Sequence, residues 1–238
     1  MQRHLDWEGC FNARDLGGLR TGDGRATRWG AVVRSDAPDR LTPPGWAALE
    51  AHGIRTVLDL RNEDEREPDL HARPAGLATV HLPLDDLDDI EFWEHSRRGD
   101  LDGTPLYYRP FLERKPERCA AAAAAVARAG PGGVLVHCVG GRDRAGLVSL
   151  LVLALAGVLP GEIASDYELS NDRLPALWTD RGWEDQRPAI QAVLERNGTT
   201  ARSALMATLA AVDATQCLRA AGLADADLSA VRRRLIRA

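Results

Sequence analysis

Residues 132–146 read Gly132-Gly-Val-Leu-Val-His-Cys-Val-Gly-Gly-Arg-Asp-Arg-Ala-Gly146, and a nearly unbroken apolar run follows as far as Gly157. Val134, Leu135 and Val136 come directly after a Pro-Gly-Gly turn, which reads as a short, fully buried strand. Leu147 to Leu155 is apolar almost all round, broken by Ser149, and stops near a glycine, as a buried helix with a glycine C-cap does. Between strand and helix lie the eight residues Val139–Gly146, three of them glycine, with Cys138 at the entrance and Arg144 six positions on. A strand that feeds a glycine-rich loop onto a helix N-terminus gathers backbone N–H groups and the positive end of a dipole. The sequence therefore predicts an anion site.

The residues placed in that site narrow its chemistry. A nucleoside-triphosphate loop needs Lys and then Ser or Thr before its helix, and here Leu147 and Val148 follow Gly146, so that reading fails. What remains is Cys-x5-Arg. Converging N–H groups, a helix N-terminus and a nearby guanidinium favour thiolate over thiol, which makes Cys138 the candidate nucleophile. Arg144 can hold two phosphoryl oxygens at once and follow them into the transition state. The backbone of Val139, Gly140, Gly141, Arg142, Ala145 and Gly146 supplies the rest of a phosphate cradle.

This loop resembles the His-Cys-x-x-Gly-x-x-Arg signature of cysteine-dependent phosphatases of the protein-tyrosine and dual-specificity superfamily. It is closest to the bacterial branch whose loop reads Gly-Lys-Asp-Arg, some of whose members act on phosphoproteins and phosphoinositides. A second motif agrees: Asn12-Ala-Arg-Asp-Leu-Gly-Gly18, followed by a strand ending in Arg34-Ser35, resembles the N-terminal signature of the same enzymes. The resemblance implies an α/β fold in which helices flank a central, mostly parallel sheet and a helical lid covers the pocket. It implies a phosphomonoester hydrolase working through a phosphocysteine on phosphotyrosine, with phosphoserine, phosphothreonine or phosphoinositides as further substrates. No metal or cofactor is called for.

Two carboxylates compete for the role of general acid. Asp85 follows a predicted strand over 78–84, where some relatives carry an acid on a mobile loop; Asp143 lies inside the cradle loop and is preferred, since it needs no loop closure. Asp85 then serves to orient water. His137 is read as a hydrogen-bonding support of the loop, not a proton donor. The chain departs from the family pattern at two places. Ala145 stands where most relatives have Ser or Thr, whose hydroxyl helps the sulfur leave, so slow breakdown of the phosphocysteine and burst kinetics are expected. Arg142 replaces the usual Lys, a planar fork for a point charge, and suits a polyanionic substrate if it faces the pocket.

The chain has 238 residues, with 45% hydrophobic and 27% charged residues and a net charge of −5. That is one domain's worth of ordinary globular composition, and residues 1–238 are read as a single domain. The balance excludes a nucleic-acid binder. The basic cluster Arg232, Arg233, Arg234 and Arg237 is read as closing a helix. Cys10, Cys119, Cys138 and Cys217 form no Cys-x-x-Cys pair, so neither a zinc site nor a disulfide framework is indicated. Cys119 and Cys217 read as core residues; Cys10 reads as either a core thiol or a redox partner of Cys138. No apolar signal segment is visible, and the chain is expected in the cytoplasm, with export by another route left open.

Elsewhere, Arg14 and Asp15 are expected to buttress the sheet edge. Thr42-Pro-Pro opens a helix that ends near Gly53, and 56–61 is a buried strand. Arg61 either frames the site or pairs with Glu65. Residues 86–110 form a long loop or broken helix, and 116–129, with its six consecutive alanines, a helix. Helices follow from Pro160. Segments 86–110 and 170–195 are the candidate lids, with Trp178 and Trp183 in the second as either pocket cover or core. Two other readings of the same loop are a binding-only pseudophosphatase, supported by Ala145, and a thiol redox or arsenate-reducing enzyme, which needs a resolving cysteine near Cys138.

Overall fold

A computed structural model describes residues 2–99, 101 and 103–236; Arg237 of the expected basic cluster lies outside the described residues. Five strands form one sheet: β1 (Arg14–Asp15), β2 (Val32–Ser35), β3 (Ile54–Asp59), β4 (Ala78–His81) and β5 (Gly133–His137), in the order β1-β2-β5-β3-β4. β2, β5, β3 and β4 run parallel, and β1 turns back antiparallel on β2. The loop-bearing strand β5 is therefore central, with Val136 opposite Arg34 on one side and Leu58 on the other.

Successive side chains of a strand point to opposite faces, and because both faces are covered β2 and β5 are buried along their whole length. Val134 and Val136 of β5 and Val32 of β2 enter the larger apolar cluster. Their neighbours Leu135 and Val33 enter a second cluster, with Ile54, Val57, Trp46 and Leu49. Helix α1 (Pro43–Ala51) covers that second face, capped by Thr42, whose Oγ1 accepts from the Gly45 N–H at 3.2 Å. The opposite face receives α2 (Ile90–Arg98), α3 (Tyr108–Arg114), α4 (Pro116–Arg128) and α5 (Arg144–Leu155). Within α5, residues 145–153 are all buried, which is why that run lacks any polar stripe. Then come α6 (Pro160–Glu168), α7 (Ser170–Arg181), α8 (Arg187–Arg196), α9 (Ala201–Ala211), α10 (Ala214–Ala220) and α11 (Asp225–Leu235).

Several expectations take definite form. The strand predicted over 78–84 is short and stops at His81, and the segment 86–110 is a broken helix, with a single turn at Pro105–Tyr107 after α2. The arginines at the end of α11 reach other helices: Arg232 donates to the Leu155 carbonyl at the end of α5 at 2.8 Å, and Arg234 to carbonyls that follow α4. They cap orphan carbonyls there. Cys119 is buried in the main core and Cys217 is half-buried. Cys10 donates to Asp36 Oδ1 at 2.9 Å, in the cluster on the sheet face away from that of Cys138. Burial first, and then Asp36, push its thiol far above the ordinary range, so Cys10 is a core thiol rather than a redox partner. No helix among the described residues is long and apolar enough to cross a membrane.

Candidate active site

The parallel sheet delivers Cys138 at the carboxyl end of its central strand, where open α/β sheets place their crevice. The loop from Val139 to Asp143 then turns back to start α5 at Arg144. What shapes this loop is the fate of its carbonyls. The Val139 carbonyl accepts from the Ala37 N–H at 3.0 Å and that of Gly140 from the Asn12 side chain at 2.8 Å. The Gly141 carbonyl accepts from Arg34 Nη2 at 2.7 Å, that of Arg142 from the same nitrogen at 2.9 Å, and that of Asp143 from the Tyr108 hydroxyl at 2.8 Å. In a trans peptide the C=O and the next N–H point opposite ways. Five carbonyls tied outward therefore turn the N–H groups of residues 140–144 inward, into a ring of donors around the thiol.

Two glycines are required by this arrangement. Gly141 has φ +70°, and a Cβ there would lie 2.3 Å from the Ser35 backbone. Gly146 lets the Tyr108 hydroxyl and Arg34 come close; a Cβ would meet them at 2.4 and 3.0 Å.

Arg144 stands on the far side of the cradle, held by two carboxylates. Glu65 takes one N–H from each of its terminal nitrogens, through Nη1 and, at 2.7 Å, Nη2; Asp85 lies 3.0 Å from Nη1. Burial works against its charge, but Glu65, Cys138 and Asp85 outweigh it and fix the guanidinium as a cation. A guanidinium has five donors in one plane. Glu65 takes two of them and Asp85 stands beside Nη1, while Nε–H and the second Nη2–H, side by side along one edge, have no acceptor among the described residues. That edge is a fork for two oxygens of an oxyanion.

Asp143 precedes α5 at its N-cap position, and the Arg142 fork reaches it with Nε at 3.0 Å and Nη2 at 3.2 Å. Arg142 is only 6% exposed and also donates to the carbonyl of Gly103 at 3.0 Å. Its guanidinium is thus engaged with the loop and with segment 86–110. Asp85 accepts from Asn62 at 3.1 Å; burial raises its proton affinity more than Arg144 and Asn62 lower it. His137 is fully buried, its Nδ1 3.2 Å from the Cys138 carbonyl, and burial pushes it down to about 4, so the ring is neutral at pH 7.

A pocket of about 140 Å3 opens at Cys138, lined by Gly140, Asp143, Arg144 and, from α7 and the turn after it, Leu174, Trp178 and Trp183. Trp178 is buried with Leu174 and Leu177, whereas Trp183 is 42% exposed at the rim under the Arg181 guanidinium. The two tryptophans thus divide between packing and cover.

Sequence reasoning missed the partner of Glu65. Arg61 pairs with Asp59 at 2.9 Å and Asp39 at 2.7 Å, touches Glu65 only at its backbone, and leaves the carboxylate of Glu65 to Arg144. It also missed the task of Arg34, and had no sign of Tyr108 or Asp166. Asp166 binds Arg14 at 3.2 Å and Arg34 at 2.8 Å, and it pairs with Arg3 as well. Asp15 is occupied by His52 at 2.7 Å and by two backbone N–H groups. Among these, the sequence marked the Arg14-Asp15 and Arg34-Ser35 pairs as motif residues, a signal that could have pointed to their tasks.

A sequence model described as the tyrosine phosphatase family matches residues 5–237. The chain is 32% identical, over 182 residues, to a Cupriavidus necator protein provisionally named a tyrosine-protein phosphatase, an alignment covering 72% of this chain and 64% of that protein. It is 32% identical over 196 residues to the triple specificity protein phosphatase PtpB of Mycobacterium tuberculosis, covering 71% and 70%. A tyrosine-protein phosphatase of Nostoc commune is 31% identical over 142 residues, covering 59% of this chain and 48% of that protein.

Proposed function

Since the chain belongs to the tyrosine phosphatase family, we propose that it hydrolyses phosphate monoesters through a phosphocysteine, with residues 1–238 acting as one catalytic domain. What supports this reading is the tying of the five loop carbonyls away from Cys138, which leaves their N–H groups to turn toward it, together with the edge of Arg144 that Glu65 and Asp85 leave unspent. Cys138 Sγ attacks phosphorus in line as the ester oxygen departs. The equatorial oxygens rest on the backbone of residues 139–146 and on Arg144, which hold their charge through the transition state. Asp143 lines the same pocket and gives its proton to the leaving oxygen. Water then displaces the sulfur, its proton passing to a carboxylate. Asp85, with its raised proton affinity, is suited to share that second step.

Phosphotyrosine is the first substrate class: Leu174, Trp178 and Trp183 give the pocket an apolar, aromatic flank for a phenyl ring. The mycobacterial relative is named a triple specificity phosphatase, and phosphoserine, phosphothreonine and phosphoinositides, the further substrates that the loop resemblance implies, are the next to test. Arg142 turns its Nε and Nη2 to Asp143, which argues against that fork taking a second phosphate of a substrate held at Cys138.

The test is hydrolysis of an aryl phosphate by metal-free protein beside Cys138→Ser. We expect turnover in the wild type and none in the variant, with a trapped phosphocysteine visible by mass on rapid quench. A folded wild type that binds tungstate but shows neither turnover nor burst would favour the phosphate-binding module, the reading to which Ala145 gives its one support.

A further inference from the structure

A second, half-open cavity of about 490 Å3 is lined by the end of α6 and by α7, α8 and the start of α9, and it shares Arg142 with the pocket of Cys138. Its volume falls within the ~300–1,000 Å3 usual for small-molecule sites. One side is apolar, formed by Ile190 and Leu194 of α8 and by Ala201 of α9. At another stand Arg142 and Tyr167, both more than nine-tenths buried. The phenol of Tyr167 is close enough to Asp143 and Arg142 for both to act on it. Glu168 and Arg187, also on the lining, are paired with Arg202 at 2.6 Å and Asp185 at 2.6 Å.

Arg142 is the unusual member. Its Nε and Nη2 are taken by Asp143, Gly103 and Gln186, while Nη1, with two N–H groups, has no acceptor among the described residues. Nη1 is not sealed from solvent, so its two N–H groups stay open to an incoming acceptor. An apolar wall beside such a cation matches one kind of ligand.

We propose that this cavity binds an amphipathic anion, a carboxylate or phosphate monoester on a medium-length alkyl or aryl body, with its head group on Arg142 and its body against Ile190 and Leu194. The site is separate from the pocket of Cys138 but mechanically joined to it. Arg142 is also the residue whose fork holds Asp143, so a head group drawing on Arg142 loosens the carboxylate assigned as the acid. Occupation therefore lowers kcat and leaves KM for a small aryl phosphate in place. This second consequence rests on the hydrolase reading; the binding does not.

The probes are decanoate and decyl phosphate, with decanol and decyltrimethylammonium as controls, all below their micelle concentrations. Calorimetry on Cys138→Ser protein, with tungstate saturating the phosphate cradle, should show one decanoate or decyl phosphate per chain and at least tenfold weaker binding of both controls. The tighter of the two anions identifies the source of the head group. Ile190→Glu, which brings a negative charge to a half-buried wall position, and Ala201→Phe, which fills the space, should each weaken binding at least tenfold. Both should keep the wild-type kcat/KM. In wild-type enzyme, decanoate should lower kcat at least threefold at constant KM. Displacement by tungstate, equal binding of the controls, or unchanged binding in both variants would overturn the proposal. A wild type without turnover that still binds one decanoate would sink the hydrolase reading alone.

Discussion

Two arginine–carboxylate clusters flank the same loop, and they differ in how many donors they leave. Behind the loop, Arg14 spends all five of its N–H groups: Nε on Asp166, Nη1 on the carbonyl and side chain of Asn12, and Nη2 on the Asp166 carbonyl and Ser170. Arg34 beside it is turned onto Asp166 and two loop carbonyls. In front, Arg144 meets Glu65 and Asp85 and keeps an edge of two donors unspent. Residue type and charge are alike in the two clusters, but Arg14, Arg34 and Asp166 are fully buried, whereas Arg144, Glu65 and Asp85 are partly open to solvent. A buried arginine with a full set of partners is a strut; one whose partners fix its plane and leave an edge is a binding group. Counting donors separates scaffold from site where charge does not.

The largest effect that tests this contrast belongs to the rear cluster. Removing one partner of a buried ionic group typically costs about 3–5 kcal/mol. Asp166→Ala, which strands Arg14 and Arg34 at once, should fall at the top of that range in urea unfolding, and should lower aryl phosphatase activity only as far as the loop loosens. A loss under about 1 kcal/mol would mean the cluster is not a strut. The sign with pH follows from the Asp166 carboxyl. Burial opposes its charge, but Arg14, Arg34 and Arg3 overcome that and hold it below the ordinary carboxylate range. The unfolded chain then takes up the proton first. The contribution is complete above about pH 4 and is lost as pH falls below it, and Asp166→Ala should lack that slope.

The front cluster should respond in the other currency, rate. Arg144→Lys keeps a positive charge between Glu65 and Asp85 but cannot offer two parallel donors. Loss of one such transition-state contact costs about 10²- to 10³-fold in kcat. We expect a drop near the lower end, about 10²-fold, with urea stability within about 1 kcal/mol of wild type. Equal losses of stability in Arg144→Lys and Asp166→Ala would erase the distinction between the two clusters.

The contrast also explains what could be read from the chain alone. The front cluster announces itself locally: Cys138 and Arg144 sit in one loop, glycines mark its turns, and the apolar run after Gly146 gives the helix. The order of elements and the parallel sheet follow from the same local periodicities, as in β5, where Val134 and Val136 face one cluster and Leu135 the other. The rear cluster is assembled from residues 3, 14, 34 and 166, so no window of sequence contains it. Glu65 shows the same limit at close range. Four residues from Arg61, it invited a helical pairing, but residues 63–65 make only a single 3-10 turn. Arg61 instead turns to Asp59 and Asp39, and Glu65 is released to cross to Arg144, 79 residues away. Charge pairs are set by where elements meet, and spacing along the chain predicts them only inside a continuous helix.

The smallest expected effect lies where the two clusters join. Position 145 sits between Arg144, which lines the pocket, and Gly146, where a Cβ would come within 3.0 Å of the Arg34 guanidinium. Ala145 is fully buried there and has no hydroxyl to offer the sulfur in the proposed breakdown of a phosphocysteine. A hydrogen bond to a group gaining charge is worth about 1.5–3 kcal/mol, and at the lower value its absence slows the second step about tenfold. Wild-type protein should then release the aryl alcohol in a burst near one equivalent, followed by a slower steady rate. Ala145→Thr should raise that steady rate about tenfold and shrink the burst, without moving the rate of the first turnover. No burst, together with unchanged turnover in Ala145→Thr, would place the slow step at or before formation of the phosphocysteine. The hydroxyl at this position would then be immaterial to the rate, and the open edge of Arg144 alone would set the pace of the reaction.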